Sequence, residues 1–295
     1  MPPRPDGRRD AGRGRGSRER RRTVSKGRGA RLWLLESAKL RVYSPSMSPQ
    51  TSKSIIISGG TSGIGRAAAL GFAKAGWRVA ICGRRQDRLD AVKGEGGLQI
   101  AEQCDVADPS QVARFFAECV AGFRHIDVVF NNAGAFAPAA LVGDLEVEVW
   151  RQMIDINLNG AFYVAREAFR AMRAQQPQGG RIINNGSISA HVPRPQAVSY
   201  TASKHAITGL TKAISLDGRP FHIACGQIDI GNTATEMTAS MSAGSLQADG
   251  QKRAEPTFDV AHVVDALLYM ANLPLEANVQ FMTVMATNMP YVGRG

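Results

Sequence analysis

The sequence predicts a single α/β domain built on a doubly wound parallel sheet, preceded by a basic extension. Three observations carry that prediction. Short β-branched runs alternate with longer helical stretches through one contiguous block. A glycine-rich turn falls directly between the first of those strands and the first helix. The excess charge is confined to one end of the chain.

The first predicted strand is Ser54–Ser58, with three consecutive isoleucines, and the first helix runs from Ile64 to Ala75. Further strands fit Arg78–Cys82, Leu98–Cys104, Asp127–Phe130, Arg181–Asn184, His222–Ile228 and Val279–Met285. Helical patterns fill the gaps over Gln86–Lys93, Pro109–Gly122, Glu146–Ala174, Ser199–Leu216 and Asp259–Ala271. A helix between successive strands is the crossover that parallel pairing needs, so both faces of the sheet are covered. Ligand is then expected outside the carboxyl ends of the strands.

Of 295 residues, 44% are hydrophobic and the net charge is +11. Residues 1–50 hold 12 Arg and 2 Lys against Asp6, Asp10, Glu19 and Glu36, a net +10, whereas the remaining 245 carry 22 basic and 21 acidic groups, a net +1. Residues 1–50 are therefore read as a disordered basic extension and residues 51–295 as the folded domain. Met47 begins a compact sequence just before the first strand, and Leu32-Trp33-Leu34-Leu35 is too brief for a secretory segment. The near-neutral domain argues against a nucleic-acid partner, and a binding arm would show a steep salt dependence lost with the extension. No apolar window reaches the length of a membrane span, and none of Cys82, Cys104, Cys119 and Cys225 belongs to a CxxC pair. Reduced buried thiols, no metal, no membrane partner and a cytoplasmic location are expected.

The turn reads Ser58-Gly59-Gly60-Thr61-Ser62-Gly63-Ile64-Gly65. Glycines let backbone approach a pyrophosphate, and the helix N-terminus supplies amide donors. Gly59, Thr61, Ser62, Gly63, Ile64 and Gly65 are thus candidate cofactor contacts; the bland alternative is a glycine turn with no ligand. At the end of the next strand, where an acid would hold a ribose 2′-hydroxyl, the chain has Gly83-Arg84-Arg85. A guanidinium fork suits a 2′-phosphate, which points to NADP, unless Arg84 and Arg85 merely begin a solvated helix.

With these come Asp105-Val106, Asn131-Asn132-Ala133-Gly134, Asn157 within Ile156-Asn157-Leu158-Asn159-Gly160, Ser187, and Tyr200-Thr201-Ala202-Ser203-Lys204. The series resembles the shorter class of the short-chain dehydrogenase/reductase family, whose glycine motif begins with Thr where this chain has Ser58. The resemblance covers Ser52 to the C-terminus. It implies a Rossmann-like fold, a nicotinamide dinucleotide cofactor, read here as NADP, and a homodimer or homotetramer. It also implies that Asp105 and Val106 line the adenine pocket, that Asn132, Ala133, Gly134, Gly231 and Thr233 lie along the cofactor, and that Asn157, Ser187, Tyr200 and Lys204 are catalytic.

The chemistry fits that spacing. Tyr200 and Lys204 stand one helical turn apart on one face. A free phenol titrates near 10, so acid–base work at neutrality needs about 3 units of depression, or about 4 kcal/mol. A nearby ammonium and an oxidised nicotinamide are the expected sources. By the resemblance, Lys204 also clamps the nicotinamide ribose, Ser187 holds the substrate oxygen, and Asn157 anchors a water in a proton relay. His191 and His205 flank this region but are read as surface or packing residues, and Asp229 and Glu236 as structural.

Two departures from the family pattern stand out. Ile230-Gly231 replaces its Pro-Gly pair, which predicts a looser turn at the carboxamide. Met285–Tyr291 lacks the glycine pair common after its last strand, leaving the interface details open. Thr235 to Pro256, with Met237 and Met241, lacks a firm apolar period and reads as a mobile substrate lid. The expected function is hydride transfer between NADP(H) and the carbonyl or alcohol of a small molecule. The alternative is a catalytically idle NADP-binding sensor or scaffold.

Overall fold

A computed structural model describes residues 52–235 and 244–292. The basic extension expected over residues 1–50 lies outside the described residues, as do Glu236, Met237 and Met241. The strands are β1 (Ser54–Ser58), β2 (Arg78–Gly83), β3 (Ile100–Gln103), β4 (Val128–Asn131), β5 (Gly180–Asn185), β6 (Ile223–Ile230), the short pair β7 (Ser245–Leu246) and β8 (Lys252–Arg253), and β9 (Phe281–Val284). The helices are α1 (Gly63–Lys74), α2 (Gln86–Gly96), α3 (Pro109–Phe123), α4 (Val147–Ile154), α5 (Gly160–Ala174), α6 (Val198–Asp217) and α7 (Ala261–Asn272).

Seven strands form one sheet in the order β3-β2-β1-β4-β5-β6-β9, every pair parallel. This is the Rossmann-like, doubly wound fold that the sequence predicted. The strand order reverses between β1 and β4, and the crevice at that switch point is where such sheets bind ligands.

Alternation along β1 explains the two cores. Ile55 and Ile57 face α1, α2 and α7 through Phe72, Leu89 and Leu267, whereas Ile56 faces α3 and α5 through Phe116 and Met172. All three isoleucines are fully buried, each worth about 1.5–3 kcal/mol of apolar transfer. Helix starts are locally encoded too. At α3, Pro109 takes the first helical position and the Asp108 carboxylate accepts the amides of Ser110 and Gln111.

One helix predicted as continuous is interrupted. Between α4 and α5 the chain forms a π-helical turn over Asp155–Asn159. Such turns carry one extra residue and re-aim side chains at functional sites, here Asn157. The segment read as a lid contains, in its described part, the antiparallel hairpin β7–β8. Its order comes from polar anchoring rather than apolar period, which is why the sequence pattern missed it. All four cysteines are free and buried, and among the described residues no helix is long and apolar enough to cross a membrane.

Candidate active site

The glycine turn is clamped from two sides. Ser58 Oγ accepts the backbone N–H groups of Asn132 and Ala133 at 2.9 and 3.0 Å, while Asn132 Nδ2 donates to the carbonyls of Ser58 and Gly59 at 3.0 and 3.2 Å. A serine keeps the one group this position needs, its hydroxyl. Gly59 has φ +68°, and a Cβ there would meet Ala133 Cα at 2.9 Å. At Gly65 a Cβ would lie 2.1 Å from the Gly59 carbonyl oxygen. Ser62 caps α1 without a side-chain hydrogen bond, so the first-turn amides at Gly63, Ile64 and Gly65 are not satisfied by a cap. Closely approachable backbone with spare N–H donors at a helix N-terminus suits a pyrophosphate.

Neighbouring strands extend this cradle sideways. The Gly60 N–H donates to the Cys82 carbonyl at 3.0 Å, and a Cβ on Gly83 would press on the Thr61 methyl at 2.7 Å. Arg84 and Arg85 emerge exposed from that junction. Beyond β3, the Asp105 carboxylate accepts its own loop's Ala107 N–H, and Val106 is buried where a Cβ on Gly160 would touch it at 2.8 Å.

The proton-transfer candidates converge beyond β4 and β5. Ser187 follows β5 and is 6% exposed. One turn apart on α6, Tyr200 and Lys204 are brought close, with Lys204 Nζ 5.6 Å from the Tyr200 ring centre. Lys204 donates to the Asn185 carbonyl at 2.7 Å. The Asn157 side-chain amide is committed to the chain after Gly134. Its Oδ1 accepts the Ala135 N–H at 2.8 Å, and its Nδ2 donates to the Ala135 carbonyl at 3.0 Å and approaches Ser203 Oγ at 3.3 Å. It splints the chain after Gly134, so a water relay would have to use its backbone rather than its side chain.

The electrostatics of the protein alone act against ionisation of the phenol. Burial pushes the Tyr200 phenol up to about 12, only partly opposed by its hydrogen bond with Ser187 and by the Arg194 charge. Burial likewise lowers Lys204 to about 8, with Asp229 pulling it back up. Lys204 alone therefore does not bring the phenol toward neutrality. In the protein alone, burial favours the protonated form of Tyr200.

Gly231 and Thr233 sit after β6. The Gly231 N–H pairs with the Val284 carbonyl at 2.9 Å, and Thr233 is 1% exposed and bridges to Phe258. The turn without proline is thus tied to β9 and to the chain before α7. Thr235 then returns over the glycine turn, 3.7 Å from where a Cβ of Gly63 would be. At the other end, Met289 and Ala286 pack on Ile188, next to Ser187.

Sequence reasoning gave no role beside the site to several neighbours. Phe136 stacks on Tyr200 with ring centres 4.1 Å apart. Asp229, read as merely structural, accepts the Ser187 N–H, and His191 pairs with it, whereas His205 points outward onto the Thr201 carbonyl. A buried polar knot joins the loop after β5 to the hairpin. In it the Glu255 carboxylate pairs with Arg194 at 2.5 Å and accepts from Asn232 and Gln247 at 2.6 and 2.9 Å. Burial disfavours that carboxylate, yet the three donors win and hold it below the usual range. A depressed carboxyl stabilises above its unfolded pKa, near 4.3, and loses that contribution as pH falls through the folded value. Glu255→Gln should lower the thermal midpoint at pH 7 and narrow the gap to wild type on acidification, measured by thermal unfolding across pH. An equal deficit at every pH would count against the carboxylate's charge.

Beside the knot lies a cavity of about 240 Å³ lined by Ala140, Leu141, Val142, Pro193, Arg194 and Val198. These come from the loop after β4 and from the stretch between β5 and the start of α6.

A glycine cradle at the switch point, beside a Ser–Tyr–Lys cluster, defines a dinucleotide-dependent oxidoreductase. Comparison with known proteins agrees: the chain belongs to the short-chain dehydrogenase/reductase family, its short chain dehydrogenase model matching residues 53–245. The chain is 39% identical over 195 residues to a 3beta-hydroxysteroid dehydrogenase of Mediterraneibacter gnavus, spanning 65% of this chain and 70% of that one. It is 30% identical over 241 residues to sulfoacetaldehyde reductase 2 of Chromohalobacter salexigens, spanning 80% and 95%. Among solved structures, an actinorhodin polyketide ketoreductase variant with NADPH superposes with TM-score 0.73 at 26% identity, covering 81% of this chain and 98% of that one. A closed serine dehydrogenase with NADP+ gives 0.72 at 25%, covering 82% and 98%. Membership fixes the activity at the level of hydride transfer involving a small-molecule alcohol or carbonyl.

Proposed function

We propose that the protein is an NADP(H)-dependent reductase or dehydrogenase of small carbonyls and alcohols, with Asn157, Ser187, Tyr200 and Lys204 as catalytic residues, Asn157 also splinting the chain after Gly134. The observation that carries the cofactor choice is the end of β2. Arg84 and Arg85 are exposed beside the glycine turn, and among the described residues no ion pair engages either side chain. A 2′-phosphate is the natural occupant for such a fork. The NADP+ and NADPH complexes among its structural relatives support the same reading.

In the reducing direction Ser187 donates a hydrogen bond to the substrate oxygen, and Tyr200 gives it a proton. Lys204 stabilises the phenolate left behind. A bound nicotinamide supplies or accepts the hydride. The cavity is lined mostly by apolar groups with Arg194 at its edge, which favours hydrophobic or moderately polar carbonyls. The enzyme is read as cytoplasmic, with residues 51–295 as the catalytic domain and residues 1–50 as a dispensable extension. Exposed Val147, Trp150 and Phe162 around α4 and α5 support association into a homodimer or homotetramer.

The test is Arg84→Ala, followed by fluorescence titration with both cofactors. Loss of a charged hydrogen bond predicts about ten- to hundredfold weaker NADPH binding with NADH nearly unchanged. Equal losses for both would mean the 2′-phosphate is read elsewhere.

A further inference from the structure

One buried charge beside the site lacks a task. Asp229, near the carboxyl end of β6, is 0% exposed. A carboxylate taken out of water must be compensated, and three donors converge on it. Oδ1 accepts the Ser187 backbone N–H at 2.9 Å and Gln227 Nε2 at 2.7 Å, while Oδ2 lies 2.8 Å from His191 Nε2. An ionised carboxylate only accepts, so the imidazole nitrogen facing it carries the hydrogen. Gly186 makes the approach possible, because a Cβ there would lie 2.0 Å from Asp229 Oδ1 and 2.6 Å from Gln227 Nε2. Gln227 is itself anchored, Nε2 donating to Thr208 Oγ1 at 3.1 Å and Oε1 meeting Thr211 Oγ1 at 3.0 Å. The carboxylate is held rigidly beneath the loop that presents Ser187.

We infer that Asp229 is a positioning residue for this active site and His191 its partner: the pair fixes the Ser187 backbone and places one negative charge two residues along the chain from the Asn185 carbonyl that holds Lys204. The inference rests on the catalytic assignment of Ser187, Tyr200 and Lys204. Few groups share that space. The loop after β5 contributes His191 and Arg194, α6 contributes Tyr200 and Lys204, the C-terminal segment contributes Tyr291, and β6 itself contributes the neutral Gln227. A negative charge favours the protonated form of each neighbour, and Asp229 acts in that direction on Tyr200, Lys204 and Tyr291, while Arg194 opposes it at Tyr200. Asp229 thereby helps keep the phenol protonated and the lysine charged.

Asp229→Asn keeps an acceptor for the Ser187 N–H and removes the charge. The alkaline limb of carbonyl reduction, set by the first proton lost from the Lys204–Tyr200 pair, should move to lower pH, because the removed charge favours the protonated form of both groups, with cofactor affinity unchanged. His191 lies at the rim with a side chain 39% exposed, so its replacement spares the fold. His191→Ala, which strips the donor from Oδ2, should lower kcat about tenfold at unchanged cofactor affinity, and His191→Gln, which can still donate, should restore most of it. An unmoved limb in Asp229→Asn overturns the inference. If that variant does not fold, wild-type kcat and pH profile in His191→Ala overturn it instead. Tyr200→Phe run alongside separates the two levels: retained turnover there removes the catalytic assignment itself, whereas its loss beside unaltered Asp229 and His191 variants removes only the pairing.

Discussion

Tyr200→Phe should bind NADPH as tightly as the wild type and turn over about a thousandfold more slowly, the scale of a lost general acid. The substitution removes one oxygen and little else. The phenyl ring keeps its stack on Phe136, and the Lys204 bond to the Asn185 carbonyl does not involve the hydroxyl. What disappears is the proton donor that burial holds up to about 12. Carbonyl reduction uses that proton, so in the wild type the rate should hold through neutrality and fall only on the alkaline side. Stopped-flow reduction with NADPH separates binding from chemistry. A variant with wild-type single-turnover rate would place proton transfer on another group, and the Ser187 hydroxyl would be the next to replace.

Tyr200 and Lys204 were legible because their relation is local: a four-residue spacing on a helix places two side chains together regardless of the rest of the fold. The glycine turn was legible for the same reason, as were the seven strands of the sheet, whose predicted bounds differ from the observed ones by three residues or fewer. Asp229 was not. It stands 42 residues after Ser187, and only the β5–β6 register, carried on by the Gly186 N–H to the Ile228 carbonyl, brings the two together. Nor was the β7–β8 hairpin, whose order is supplied by Glu255 reaching Arg194 and Asn232, the first of them 61 residues away. The burial that acts on Tyr200 was not legible either, on another ground. Spacing gives proximity of an ammonium, but the sign of the shift depends on desolvation of the phenol, which no sequence pattern reports.

Gly65→Ala should cost about a hundredfold in NADPH affinity, roughly 2.7 kcal/mol. An added methyl is usually a small change, and at this position it has nowhere to go. Its nearest neighbours would be the Gly59 carbonyl oxygen at 2.1 Å, Asn132 Nδ2 at 2.5 Å and the Gly59 carbonyl carbon at 2.9 Å. Two of these are backbone, and the third is the amide that holds the turn, so relief requires the turn itself to shift and the Asn132 bonds to break. The same movement tilts the first-turn amides of α1 away from a pyrophosphate. Overpacking should also lower stability by about 1–3 kcal/mol. Gly94→Ala is the control: it lies in α2 with nothing within 4 Å of its added carbon, and it should leave NADPH binding unchanged. Cofactor titration with thermal unfolding on both variants distinguishes the effects. A folded Gly65→Ala protein with wild-type affinity would mean that the phosphates do not rest on this turn.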